Sequence, residues 1–348
     1  METSYFLGAN SAAGFCSLYD GFGRSKGDFL RIIKGGPGTG KSGFMRAIAR
    51  EALRRGLDVE TVLCSGDPDS LDGLYIPALG LAYCDGTAPH TAEPAAFGVD
   101  SDYVNIGQFC RTPLGAAQQE RVLTLSAAYR AKYARAYALL KAGYELEKAL
   151  APQTFAQEHA ARAGDVLRAV CDRLLPPSDE KGSLIRRFSG AISCQGVLQR
   201  MDGIELCKLI YCCEDGCGLA AAALADAREE ALQRGARVIE YVSPFDARSV
   251  DALLLPELKV CFVRGTPGVA GAKRIALDRL CGELSQVKER RRELRAARRE
   301  SARCVEAACG QLAEAKALHD ELESVYRPFM GFPALDAFTA REIARVFA

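Results

Sequence analysis

Apolar positions near the start of the chain come in short blocks set between turn residues, the pattern of buried strands. Phe29–Lys34 is one such block, and residues 58–64 and 79–84 are two more. An Ala-rich stretch over 41–55 separates the first from the second and closes at Gly56, where a helix places its C-cap glycine. A still earlier block, Tyr5–Leu7, precedes a glycine-containing turn and a short helix. Strand, helix and strand at this spacing predict a parallel sheet with flanking helices, an α/β layer architecture. Further on the pattern changes. Residues 116–150 are rich in Ala, Leu, Arg and Lys without proline, a second helical stretch covers about 153–174, and 273–326 has nearly uninterrupted helical composition.

The same order occurs twice. Aligning residues 51–87 with 230–266 leaves about fourteen of thirty-seven positions identical without a gap. Upstream, Phe6, Gly8, Ala9, Ser11, Gly14, Asp20 and Gly21 face Phe188, Gly190, Ala191, Ser193, Gly196, Asp202 and Gly203. The second copy places its strands at Arg187–Ser189, Lys208–Cys212, 237–242 and 258–263, with a helix over 219–234 closed by Gly235. The chain therefore reads as a tandem duplication. Residues 1–175 are the first half, 184–348 the second, and the proline-led polar run Pro176–Gly182 supplies a linker over 176–183.

Composition narrows the class. Apolar residues at 49% and charged residues at 26% are ordinary for a soluble globular protein, and 348 residues suffice for two cores. A net charge of +1 gives no global pull toward nucleic acid or anionic lipid. The N-terminus lacks a signal-peptide pattern and no apolar run approaches a bilayer span, so the expected location is cytoplasmic, with no membrane partner. The fourteen cysteines then read as reduced thiols. Their tightest cluster, Cys212, Cys213 and Cys217, has no paired metal-binding spacing and reads as packing.

Gly35-Gly36-Pro37-Gly38-Thr39-Gly40-Lys41-Ser42 fits G-x-x-x-x-G-K-[ST], the Walker A pattern, and stands between an apolar strand and a helix. Its glycines let backbone N–H groups turn inward around a phosphate, and the helix that follows directs its positive N-terminus there. Lys41 is expected to neutralise β- and γ-oxygens and Ser42 to ligate Mg²⁺. Asp85, closing the block 79–84, is the expected metal-side carboxylate. No glutamate follows it, so Asp67 and His90 are the candidates for a base or an outer magnesium partner. Asp69 and Asp72 read, with Asp67, as turn residues first.

The second copy has Cys213–Ala220 where the first has this loop. Leu219 then faces Lys41, Ala220 faces Ser42 and Arg264 faces Asp85, while Glu214 and Asp215 add negative charge. The second site is expected to bind no phosphate.

On these residues the chain resembles a family of uncharacterised bacterial ATP-binding proteins, putative ATPases with two P-loop halves in one polypeptide. The resemblance covers nearly the whole length. It rests on the Phe-x-Gly-Ala start of each half, GGPGTGKS, Cys64–Gly73, Asp85–His90 and Ala317–Tyr326. It implies a tandem P-loop NTPase fold and ATP binding. In that family the second half usually keeps a phosphate loop and a Thr-Ala-Pro-His segment; this chain departs at both, with Cys213–Ala220 and residues 264–268.

The expected activity is ATP binding and Mg²⁺-dependent hydrolysis at one site per chain, with a regulatory or structural second half. A small-molecule or nucleotide kinase and a nucleic-acid-dependent, helicase-like ATPase are the alternatives. The kinase lacks a compact Arg-rich lid and the helicase lacks an Asp-Glu pair after the strand. The run from Lys288 to Arg303 carries eight basic and three acidic side chains and no aromatic one, so it reads as a charged helix face rather than a base-stacking platform.

Overall fold

A computed structural model of the chain describes residues 1–87, 93–150, 157–265 and 271–348. The first copy contains β1 (Glu2–Tyr5), the hairpin β2 (Gly8–Ser11) and β3 (Gly14–Ser17), β4 (Phe29–Lys34) and α1 (Lys41–Arg54). There follow β5 (Val59–Leu63), β6 (Leu71–Ile76), β7 (Leu81–Asp85), β8 (Ser101–Asn105), α2 (Ala116–Leu150) and α3 (Gln157–Leu174). The second copy repeats them as β9 (Ser183–Phe188), β10 (Gly190–Ser193), β11 (Gly196–Gln199), β12 (Leu209–Cys213) and α4 (Ala220–Gln233). It continues with β13 (Arg237–Val242), β14 (Val250–Leu255), β15 (Val260–Arg264), β16 (Lys273–Ile275), α5 (Leu284–Tyr326) and α6 (Phe332–Val346).

Each copy builds a six-stranded sheet, in the orders β1-β5-β6-β7-β4-β8 and β9-β13-β14-β15-β12-β16. Strand for strand these are the same order, which agrees with the duplication read from sequence. The sheets are mixed, not parallel as expected. β6 and β14 run antiparallel to both neighbours. The connection over residues 77–80 is too short for the crossover that a parallel strand requires, so β6 must turn back. Two short edge strands also escaped the pattern. β8 lies beside β4, and β16 beside β12 takes residues 273–275 out of the long helix expected from 273.

The hydrophobic cores cross the boundary drawn at 175–184. Leu335, Phe347 and Met330 from the C-terminal end share a core with Phe44, Met45 and Ile48 of α1 and Leu74 of β6. Conversely Ala163, Leu167 and Cys171 of α3 share a core with Leu224 and Ala227 of α4 and Val238 of β13. Each sheet thus has one face completed by a helix from beyond the opposite unit. α2 and α5 lie antiparallel along one another, linked by the pairs Arg121–Glu321 and Lys132–Glu314.

The two units meet around an internal twofold relation. Ala12 N–H donates to the Phe245 carbonyl (3.2 Å), and its counterpart Cys194 N–H donates to the Gly66 carbonyl (3.1 Å). Such reciprocity is what a self-complementary interface leaves after duplication. Phe6, Ala9, Phe188 and Ala191 fill the joint. The fully buried Asn10 amide donates to the Ser65 and Ile192 carbonyls (3.2 and 2.9 Å) and accepts from the Tyr137 hydroxyl (3.0 Å). Among the described residues no helix is long and apolar enough to cross a membrane.

A buried polar cluster fastens α6 to the first sheet. Glu342 accepts from Arg31 (3.0 Å) and from the Tyr83 hydroxyl (2.7 Å), while Arg31 also pairs with Asp102 (2.8 Å). Glu342→Ala would leave Arg31 and Tyr83 short of a partner in a dry site. It is expected to lower unfolding stability by roughly 3 kcal/mol, read from urea denaturation. Stability within a few tenths of a kcal/mol of the parent would show that α6 is held by apolar contact alone.

Candidate functional site

The loop from Gly35 to Ser42 joins β4, in the interior of the first sheet, to the N-terminus of α1. The hydrogen bonds that α1 cannot supply to its first N–H groups make this end electropositive. Two glycines take backbone angles other residues avoid: Gly38 (φ 67°) and Gly40 (φ 92°), the N-cap of α1. A Cβ on Gly40 would also meet Leu335 Cδ2 at 2.9 Å, so α6 lies against the loop from behind. The Thr39 hydroxyl closes the turn on the Gly36 carbonyl (2.8 Å), with Pro37 between them.

Lys41, the first residue of α1, folds its ammonium back over the loop. It donates to the Gly35 and Gly36 carbonyls (2.9 and 3.0 Å) and lies 3.5 Å from Asp85 Oδ2. Asp85 reaches this place because β7 pairs directly with β4 in parallel, with Ile33 opposite it. Its other oxygen accepts from the Thr87 N–H (2.9 Å) and hydroxyl. The Ser42 hydroxyl accepts from the Leu71 N–H (3.0 Å), which ties the start of α1 to the start of β6. The structure thus brings Lys41 and Asp85 together, while the Ser42 hydroxyl is engaged with β6.

Asp67 does not join them. Its carboxylate accepts from the Ser70 hydroxyl (3.0 Å) within its own turn and lies 3.6 Å from Lys316 Nζ on α5. His90 lies outside the described residues.

Sequence reasoning missed two carboxylates. Asp72 is a buried strand residue of β6, not a turn former. Burial pushes the Cys84 thiol up to about 12, with the Asp85 and Asp72 charges adding to the effect. The same pair of carboxylates adds to the burial that raises the Tyr19 hydroxyl. The signal available was the twin position: Asp72 aligns with Asp251, an identity between the copies. The other is Glu323 of α5, whose Oε1 accepts the Gly38 N–H at 3.1 Å. It belongs to the segment Ala317–Tyr326, singled out by resemblance but given no role.

The second loop is one residue shorter than the alignment allowed. Cys213 stands opposite Arg264 as Ile33 stands opposite Asp85, and α4 starts at Ala220 as α1 starts at Lys41. Residues 214–219 thus replace 34–40. Ala220 and Ala221 occupy the positions of Lys41 and Ser42, a shift of one from the expected Leu219 and Ala220, and Arg264 faces Asp85 as expected. The electropositive end of α4 is satisfied from within the chain. Asp215 Oδ1 accepts the Ala220 N–H (3.1 Å), and Oδ2 takes Arg264 (2.7 Å) and Arg298 (2.6 Å). Arg264 also reaches Asp251 (3.4 Å). Burial works against the Arg264 charge, but Asp215 and Asp251 outweigh it and hold the guanidinium above its ordinary value.

Three of the eight basic residues of the 288–303 run are engaged here as well. Arg290 donates to the Cys217 carbonyl (3.2 Å) and Arg291 pairs with Asp278 (2.6 Å). These arginines serve the second loop and do not reach across to the first. Cys212 and Cys213, on successive positions of β12, enter different cores, while Cys217 lies near Cys281 and Asp278.

Asp215→Ala would strip the charge partner from two guanidinium groups at the second loop. It is expected to cost about 3 kcal/mol in urea unfolding. A neutral effect would mean that Arg264 and Arg298 are adequately solvated without it. Compared with protein-family models, curated proteins and solved structures, the chain has no match.

Proposed function

We propose that the chain binds ATP at residues 35–42 and hydrolyses it with Mg²⁺, at one competent site per chain, on a tandem P-loop NTPase fold. The observation that carries the reading is the approach of Lys41 to Asp85 over a glycine-bent loop at the N-terminus of α1. The residues fit a phosphate chain. Gly38 and Gly40 bend the loop at the start of α1, and the loop carries no carboxylate of its own to claim its N–H groups, in contrast to Asp215 in the second copy.

In this reading Lys41 exchanges its two carbonyl acceptors for β- and γ-oxygens. Ser42 and Asp85 supply oxygen ligands for magnesium, which when bound neutralises phosphate charge. The loop N–H groups orient the phosphates and favour charge developing on them. The second copy, with Asp215 in place, binds no nucleotide and contributes structure. The family of two-halved bacterial ATP-binding proteins remains the proposed relationship, carried by the loop and by Ala317–Tyr326.

Lys41→Ala is expected to abolish measurable ATP binding while leaving the fold intact, because the ammonium sits on the loop and outside both cores. Unchanged ATP affinity in that variant would remove the reading. Asp85→Asn is expected to cut magnesium-dependent turnover by roughly a hundredfold while leaving magnesium-free nucleotide binding within a few-fold. Equal losses in both assays would assign Asp85 a purely structural role.

A further inference from the structure

In the second copy a loop N–H, that of Cys217, is held by a carboxylate from outside the loop, Asp278 (2.9 Å), itself paired with Arg291 (2.6 Å). The first loop has the counterpart. Its donor N–H at Gly38 is held by a carboxylate, Glu323, that comes from a helix far away in sequence. The approach is close: a Cβ on Gly38 would meet the Glu323 Cβ at 3.0 Å and its Cα and carbonyl oxygen at 3.1 Å. α5 is therefore seated on the loop. Its seat is fixed by the buried Leu322, by Glu321 paired with Arg121 of α2, and by His319 against the Tyr129 ring (5.6 Å).

The Glu323 side chain is itself 41% exposed, with His319 Nδ1 on the preceding turn 3.7 Å away. A carboxylate on a loop N–H makes a charge-assisted hydrogen bond of the kind a phosphate oxygen makes. Both cannot hold the same donor, and two anions there repel. The second copy shows the same device made permanent, with Asp278 on the Cys217 N–H and locked by Arg291.

We propose that Glu323 is a removable internal occupant of the nucleotide site, which a phosphate chain must displace from Gly38, and that this displacement makes α5 responsive to nucleotide. The proposal rests on the assignment of residues 35–42 to ATP. α5 is the fitting recipient. It runs from the second loop, where Arg291 and Arg298 are engaged, to the first, where Glu323 is engaged, so one helix touches both sites. Thirty-two residues separate Arg291 from Glu323, a span of roughly 48 Å in a continuous helix. Lys316, two turns before Glu323, carries the contact on to Asp67 in the β5–β6 turn.

The test is calorimetric titration of the full chain with MgATP in three forms: the parent, Glu323→Gln and, as control, the exposed Glu306→Gln on the same helix. Glu323→Gln keeps the shape and removes the charge, and is expected to bind MgATP roughly tenfold more tightly than the parent. Glu306→Gln is expected to leave affinity unchanged. Affinity that is unchanged or weaker in Glu323→Gln overturns the proposal, and weaker binding would make Glu323 a ligand-holding residue instead. Equal tightening by both substitutions overturns it too, since general charge removal would then explain the gain. Binding of MgATP by none of the three forms sinks the ATP assignment together with this proposal; normal parent binding with an inert Glu323→Gln sinks this proposal alone.

Discussion

The N-terminus of a helix that follows a buried strand presents donor groups that need an anion. Both copies of this chain meet that requirement, in opposite ways. In the second copy Asp215 is built into the loop, caps the start of α4 and is clamped by Arg264 and Arg298. In the first the loop is glycine-rich, carries a lysine instead of a carboxylate, and borrows Glu323 from α5 for a single donor. The charge arrangement is inverted between the copies: acid at Asp215 with base at Arg264, base at Lys41 with acid at Asp85. An inverted pair satisfies itself. In the first copy no carboxylate of the loop takes a helix N–H as Asp215 takes that of Ala220, and this difference underlies the proposed single ATP site.

The retention of the second copy has a structural explanation. α3 completes the core beside α4, and the C-terminal segment with α6 completes the core beside α1. Neither unit closes its own apolar surface with residues from its own half of the chain. Large apolar residues such as Phe44, Ile48 and Met45 would face water without Leu335 and Phe347. Cutting the chain in the segment 176–183 therefore does not yield two finished domains. The reciprocal bonds Ala12 to Phe245 and Cys194 to Gly66 add a second reason, since each hairpin seats on the opposite unit's turn.

Repetition and local chemistry made much of this legible. The alignment of 51–87 with 230–266 foretold two sheets of equal order, and the spacing of Gly35–Ser42 against Asp85 foretold their meeting. The reversed strand β6 was not foretold, because Leu71–Ile76 reads as an apolar segment whichever way it runs. Its direction is set by the short turn after it. The exchange of α3 and α6 left no trace in periodicity, since an amphipathic helix does not name the sheet it covers. Glu323 escaped for a similar reason. A glutamate on a charged helix is ordinary until the fold lays that turn against Gly38. Asp72 was the recoverable miss, for its identity with Asp251 stood in the alignment, and its burial beside Asp85 needed only the strand assignment. The one-residue shortening of the second loop was hidden by aligning Cys213–Ala220 without a gap.

Equilibrium titration of the full-length chain with MgATP, at chain concentrations well above the dissociation constant, reads the number of sites without reference to turnover. One site per chain is the expected result, with the first loop filled and the Asp215-capped loop of the second copy silent. Two sites of similar affinity would show that Asp215 yields to phosphate, and no site at all would show that the meeting of Lys41 and Asp85 serves the fold alone.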